Sequence, residues 1–262
     1  MWKGFKAMND HFDLRELFND WPYEAEDCVR LVRGAGGREI MQVRQPLGVE
    51  QYEVDGRPDG ERPYGMESAL EYHLSRFAKA RAKGEGESFR LGEKECVELF
   101  AEGVLYYFRY ARFFQIEDWA RTARDTARNL RLFDFVRRYA RREEERVQLE
   151  QWRPYILRIN TVARAMIEAE AGQHDEALKI VREAIECLEA LPEMENEAFQ
   201  FERQRSLLAL RELADRITKV RPVSELERLE DELRQAIESE RFERAAQLRD
   251  RIQALRRQPA AQ

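Results

Sequence analysis

Apolar and polar positions alternate early in the chain and later adopt a helical period. Residues 28–33, Cys-Val-Arg-Leu-Val-Arg, alternate as a half-buried strand does. The turn Gly34-Ala35-Gly36-Gly37 separates them from a second run over 38–44, and a glycine-rich turn between two such runs predicts a hairpin. A third run, 49–54, places Tyr52 and Val54 on one face. With a short helix predicted over 13–18, the region 1–64 reads as a small α+β unit built on an antiparallel meander. It closes on Asp55-Gly56-Arg57-Pro58-Asp59-Gly60-Glu61-Arg62-Pro63, a series of tight turns.

From Met66 the pattern predicts helix after helix, over 68–82, 93–113, 117–130, 134–149, 154–171, 175–190 and 195–220. The region 65–220 is therefore expected to be an α-helical bundle. The second of these helices carries Phe100, Tyr106, Tyr107, Phe108, Tyr110 and Phe113, which predicts burial on more than one side. Ala165, Gly172, Ala177, Ala184 and Pro192 place small residues, a turn and a stop where a tetratricopeptide-like helix pair wants them. The alanines allow close approach and Gly172 ends the first helix. The stretch around Asp118-Trp119-Ala120 is a degenerate second candidate.

Arg221-Pro222-Val223 interrupts the helices, and Ser224 with Glu227 forms a capping-box signature for a new one. Leu226, Leu229, Leu233 and Ala236 recur at spacings of 3, 4 and 3, a narrow apolar seam. After Ser239-Glu240-Arg241 a second helix begins near Phe242, with Ala245, Leu248, Ile252 and Leu255 at the same spacings. Two seams joined by a short turn predict an antiparallel hairpin over 224–257. Units below about 40 residues seldom bury enough apolar area alone, and this one has neither cysteines nor metal ligands. A partner for the seam is implied: a second copy, a different chain, or the body of the same protein. The fold class is mainly α, with a small N-terminal β meander, a tetratricopeptide-like helical bundle and a C-terminal antiparallel helical hairpin.

Charge refines this picture. Charged residues make up 37% of the chain, yet the net charge is only −6, which suits long helices with solvated, ion-paired faces. A pI near 5.5 argues against generic duplex binding, which needs a basic face. No run of about 18 apolar residues occurs, so no transmembrane helix is expected. The first residues lack the apolar core of a signal peptide. Cys28, Cys96 and Cys187 are far apart and odd in number. They are expected to be small buried hydrophobes in a reducing cytoplasm rather than a disulfide framework or a zinc site.

The hairpin residues carry a family resemblance. Leu226, Leu229 and Leu233, Ala236-Ile237, Glu240, Phe242-Glu243, Ala245-Ala246 and Leu248-Arg249-Asp250-x-Ile252 resemble the UVR motif. That motif occurs in the excision-repair proteins UvrB and UvrC, and in McsA and ClpC of a bacterial arginine-kinase and protease system. The resemblance implies a helical hairpin that pairs with another such hairpin. It makes Leu229, Leu233, Phe242, Ala246, Leu248, Arg249, Asp250 and Ile252 the candidate partner-binding residues. The chain has neither the P-loop of UvrB nor the paired zinc cysteines of McsA. The stretch from Gln42 to Gly60 also resembles a bacterial family of UVR-motif proteins, without implying an activity.

Catalytic constellations are not evident. His11, His73 and His174 stand alone, no Gly-x-Ser-x-Gly elbow occurs, and the Gly34–Gly37 turn leads into a strand where a dinucleotide fold needs a helix. The chain is thus expected not to be an enzyme and to need no cofactor. Two other candidate sites exist. The loop residues Asp55, Arg57, Asp59 and Arg62 form one, as a ligand site or as a structural corner whose charges pair locally. Arg121, Arg124, Arg128 and Arg131, at helical spacing and followed by Phe133, Phe135 and Tyr139, form the other. They are a candidate nucleic-acid contact or a solvated face beside a core stripe. The reading is an interaction adapter that pairs with itself or another UVR-containing protein. The alternative is a nucleic-acid-binding or DNA-repair accessory protein using the helices over 121–142.

Overall fold

The computed structural model describes residues 13–222 and 225–257. The chain divides into two compact units, Met1–Asp215 and Arg216–Gln262.

In the first unit a short helix α1 (Arg15–Asp20) precedes three strands, β1 (Val29–Arg33), β2 (Glu39–Gln45) and β3 (Gly48–Glu53). They form the predicted antiparallel meander in the order β1-β2-β3. Its register pairs Val29 with Val43 and Met41 with Tyr52. Alternation sends Met41, Val43, Tyr52 and Val54 to one buried face with Cys28, and Phe113 from a helix completes that core. The Gly34–Gly37 turn contains two residues with positive φ, Gly36 and Gly37, a conformation that glycine adopts without the penalty a Cβ brings.

The helices follow: α2 (Ala69–Ala82), α3 (Glu93–Gln115), α4 (Trp119–Tyr139), α5 (Glu143–Gln148), α6 (Arg153–Glu170), α7 (His174–Glu189) and α8 (Glu197–Val220), the last of which runs on into the second unit. Their starts have local causes. Ser68 Oγ accepts the Glu71 N–H at 3.2 Å, Asp118 Oδ1 accepts the Arg121 N–H at 3.0 Å, and Pro154 lies in the first turn of α6, where its missing N–H is not needed. The main core gathers Leu70, Leu91, Leu99, Leu132, Val136 and Ile156 from successive helices. A polar ladder threads it: Asn129 Nδ2 donates to the Gly103 carbonyl of α3 at 2.8 Å, and Asn160 Nδ2 of α6 donates to Thr126 Oγ1 of α4 at 2.9 Å.

Several expectations need correction. A break between 130 and 134 was expected, but α4 runs unbroken from Trp119 to Tyr139. The stretch holds no Gly or Pro, and Leu132 and Phe133 are buried on its inner face, so only the charge texture changes there. The helix ends where Leu91 takes over the backbone: its N–H donates to the Tyr139 carbonyl at 2.7 Å and its carbonyl accepts from Arg141 at 3.1 Å. Helix α3 is buried on more than one side as expected, in the helical core through Leu99 and Tyr110 and against the sheet through Phe113, but Tyr107 and Phe108 are exposed. Cys28 and Cys96 are buried as expected, but Cys187 is exposed, because it lies on the outer face of α7.

One turn recurs at three helix–helix hairpins among the described residues, and the same pair of bonds, Gly84 N–H to Arg81 O and Glu85 N–H to Ala80 O, closes α2. Between α3 and α4, Glu117 N–H bonds to Phe114 O and Asp118 N–H to Phe113 O; between α6 and α7, Gly172 N–H bonds to Ala169 O and Gln173 N–H to Glu168 O. The left-handed residue is Glu117 in the first and Gly172 in the second. The third copy lies in the second unit, where Glu240 N–H bonds to Ile237 O and Arg241 N–H to Ala236 O around the left-handed Glu240. This is a tight helix-reversing cap. Because it serves every one of these hairpins, it does not by itself make α6 and α7 a tetratricopeptide pair.

Candidate functional site

The second unit carries the helices α9 (Glu225–Glu238) and α10 (Phe242–Arg257). The Ser224 cap signal lies outside the described residues. Leu229, Ala236, Leu248 and Ile252 are buried together, with Leu233 and Ala245 packed against them. The 3-4-3 spacing explains this: each set lies on one stripe of its helix, and the reversal at Glu240 turns the two stripes to face one another. An ion pair from Arg244 to Glu232, at 3.0 Å, joins the helices across the turn.

The geometry splits the candidate partner-binding residues into two groups. Leu229, Leu248 and Ile252 are buried, and Leu233 partly so, holding α9 to α10. Phe242, Ala246, Arg249 and Asp250 are exposed. Phe242 is 69% exposed, and Ile237, just across the turn, is 54% exposed. Phe242, Ala246 and Arg249 follow each other at i, i+4 and i+7 and so share one outward stripe.

Residues 224–258 match the family model described as UVR, the UvrB/uvrC motif. Neither a search of curated proteins nor one of solved structures found a match. The UVR motif is a module of protein–protein and DNA-repair-related interaction. The UVR hairpin therefore joins a recognised interaction module to an exposed apolar pair and a charged flank, with its inner seam already closed.

In the first unit the structure brings the loop candidates and the arginine candidates together. Arg109 donates from Nε and Nη2 to both oxygens of Asp125, at 2.7 and 2.9 Å, and from Nη1 to the Glu53 carbonyl at 2.7 Å. Arg124 bonds Asp125 at 2.9 Å, Asp55 at 2.7 Å and the Val54 carbonyl. The strand that leaves the sheet is thus seized by two arginines of α3 and α4. Arg57 pairs with Asp59 at 3.0 Å and with Glu102 at 3.6 Å. Glu102 is 1% exposed; it also accepts the backbone N–H groups of Ala69 at 2.7 Å and Leu70 at 3.0 Å, and it meets Arg128. One carboxylate therefore caps α2, anchors the loop and neutralises α4. Burial holds the Arg128 pKa below the ordinary arginine value, with Glu102 opposing. The guanidinium lies 3.9 Å over the Tyr106 ring, whose own hydroxyl burial pushes up.

The remaining candidates are also placed. Arg121 pairs with Asp118 at 2.8 Å and with Glu39, and Arg131 pairs with Glu71. Arg62 is exposed, and its carbonyl accepts the Gly65 N–H. Phe133 and Phe135 are buried in the core, with Tyr139 packed beside them. Phe135 and Tyr139 meet in a tilted ring contact at 5.1 Å. His73 is buried between Glu98 and Arg76. Among the described residues no group of three or more His, Cys, Asp or Glu could hold a metal ion, and no helix is long and apolar enough to cross a membrane.

Sequence reasoning missed Glu102 and Arg109. Both lie on α3 at i and i+7, inside a run over 99–111 that is otherwise aromatic, aliphatic or glycine. A charge recurring at helical spacing on an apolar face was the available signal.

Proposed function

We propose that this chain is a cytoplasmic, non-enzymatic adapter whose UVR hairpin pairs with a second UVR-type hairpin, its own copy or another protein's. The observation that carries this reading is the split of the hairpin. Its inner seam of Leu229, Leu248 and Ile252 is spent on intramolecular packing, while Phe242 and Ile237 stand exposed at the turn beside Ala246, Arg249 and Asp250. A large exposed ring next to an exposed β-branched side chain is the kind of anchor that interface cores use. Arg249 and Asp250 on its flank would set register through charge pairing.

The test separates the two groups. Phe242→Asp leaves the inner seam intact, so helical content by circular dichroism is expected to stay and the mass by light scattering to fall from dimer to monomer. If the wild-type chain is monomeric, the same variant is expected to lose capture of UVR-containing partners. Ile252→Asp is expected to lose hairpin helicity as well. Unchanged assembly and unchanged partner capture in Phe242→Asp would sink the proposal. The alternative reading, a nucleic-acid or repair accessory, predicts salt-dependent DNA binding that falls when Arg121 and Arg131 are removed. The pairing of Arg121, Arg124, Arg128 and Arg131 with carboxylates supports the adapter reading over it.

A further inference from the structure

A cleft of about 670 Å³ opens between the end of α2 and the end of α4, lined by Phe77, Arg81, Glu87, Arg90, Arg138 and Tyr139 together with Gly84 and Gly86. Its size falls within the roughly 300–1,000 Å³ of small-molecule sites. Its arginines differ from those that tie the 55–62 loop to α3 and α4. The arginines around the loop are held by carboxylates, as Arg109 is by Asp125 and Arg128 by Glu102. Arg81 and Arg138 pair with no carboxylate among the described residues, and Arg90 donates only to the Glu87 and Phe89 carbonyls, both at 2.7 Å. Three arginines against Glu87 leave a lining of net +2.

Helix ends account for part of this. Arg81 lies in the last turn of α2 and Arg138 in the last turn of α4, where each terminus offers a partial charge of roughly −0.5. Two such ends offset about one positive charge, and a positive balance remains. The walls are built rather than incidental. Gly84 has φ +80°, and a Cβ on Gly86 would lie 3.3 Å from Arg81 Cα and Cβ, so the 83–92 loop folds closely over the helix end. The backbone bridge from Leu91 to Tyr139 and Arg141 pins the far side of that loop to α4. The aromatic part of the lining is backed by ring contacts: Phe77 to Tyr139 at 4.5 Å and Phe89 to Tyr139 at 5.6 Å.

We infer that this cleft binds a phosphate monoester carrying a planar ring, of which a nucleoside monophosphate is one member. A phosphate monoester carries about −1.5 to −2 at neutral pH, which matches the lining charge. Guanidinium forks match phosphate oxygens in pairs. The rims of Tyr139 and Phe77 give the ring an apolar surface. The arginines converge on one cleft bordered by a pinned loop rather than following an extended track, which favours a small molecule over a nucleic-acid strand.

The experiment is calorimetric titration of the full chain with adenosine monophosphate, adenosine and glycerol phosphate. Adenosine monophosphate is expected to bind at one site per chain, and the other two at least about tenfold more weakly, since each lacks half of the recognition. Arg81→Ala and Arg138→Ala, both exposed positions, are each expected to raise Kd about tenfold or more, the loss of one charge-assisted contact. Arg211→Ala on α8, paired with Glu189 on the surface, is expected to bind as the wild type does. No heat with adenosine monophosphate at millimolar concentration would overturn the inference. So would adenosine binding equally well, or affinity that survives the double Arg81→Ala, Arg138→Ala change. Binding of a single-stranded oligonucleotide that the mononucleotide does not displace would overturn it in favour of a polymer.

Discussion

Substituting Glu102 by Gln tests whether the buried carboxylate holds the loop and α2 to α3 and α4. The wild-type side chain is 1% exposed, and its partners Arg57 and Arg128 are only 15% and 13% exposed. Glutamine keeps the volume, removes the charge and turns one acceptor into a donor aimed at other donors. Two consequences follow. One of the Ala69 and Leu70 N–H groups loses its acceptor, which costs about 1–3 kcal/mol when buried. Two guanidiniums lose their shared counter-ion, and breaking a buried pair from one side costs about 3–5 kcal/mol. The environment relaxes, so the two are not summed, and a loss of about 4 kcal/mol is expected, a large part of a typical stability of about 5–15 kcal/mol. Equilibrium urea unfolding followed by tryptophan fluorescence is the assay. The tryptophans lie at 2, 21, 119 and 152, so the signal follows the first unit and not the UVR hairpin. With a slope of about 2 kcal/mol per molar urea, the midpoint should fall by about 2 M. Adding Arg128→Met should recover about 1–3 kcal/mol as coupling, because it removes an orphaned charge. A shift corresponding to less than about 1 kcal/mol in Glu102→Gln would refute this reasoning, since a buried network contributes more than that.

Other outcomes follow from local geometry. Leu248→Ala, at a fully buried seam position, should lower hairpin stability by about 2–5 kcal/mol, read as loss of the helical signal at lower urea while tryptophan fluorescence stays unchanged. Glu240→Gly should raise hairpin stability by about 0.5–1 kcal/mol, because Glu240 has φ 56° and a Cβ is penalised there; a lower midpoint would contradict this. Glu95 accepts the Gly92 N–H at 2.6 Å and meets Arg76. Burial works against its charge, but the Gly92 N–H and Arg76 prevail and hold its pKa below the ordinary value. A depressed carboxyl stabilises the fold above its unfolded pKa and loses that contribution as pH falls through the folded one. Wild type should therefore exceed Glu95→Gln in stability at neutral pH, by about 1 kcal/mol, with the gap closing in acid; a pH-independent gap would contradict it. Native alkylation should modify Cys187 alone, since Cys28 and Cys96 are buried and burial pushes the Cys96 thiol up to about 12, which mass spectrometry would read directly.

Local patterns carried the elements of this fold. The alternation in 28–54 was enough for the meander, because a strand with one buried face must alternate. Gly172 marked its turn because glycine was present there, whereas Glu117 and Glu240 adopt the same left-handed cap without the residue that announces it. The supposed break near 130–134 came from a change in charge pattern, and charge texture does not end a helix when neither Gly nor Pro is present.

The sequence by itself determined the UVR hairpin, its two seams and its reversal, since a 3-4-3 spacing repeated around a polar turn has few other solutions. It also marked the loop over 55–62 and the arginines of α4 as unusual. Only the tertiary structure decided what those charges do. Asp55 finds Arg124 across 69 positions, and Arg57 meets Glu102 beside Arg128, pairings set by how the sheet lies against α3 and α4 and by no local pattern. It likewise decided that Leu229, Leu248 and Ile252 face inward while Phe242 and Ile237 stay outside. Periodicity defines a stripe on a helix, but which neighbour covers that stripe depends on the partner the chain brings to it.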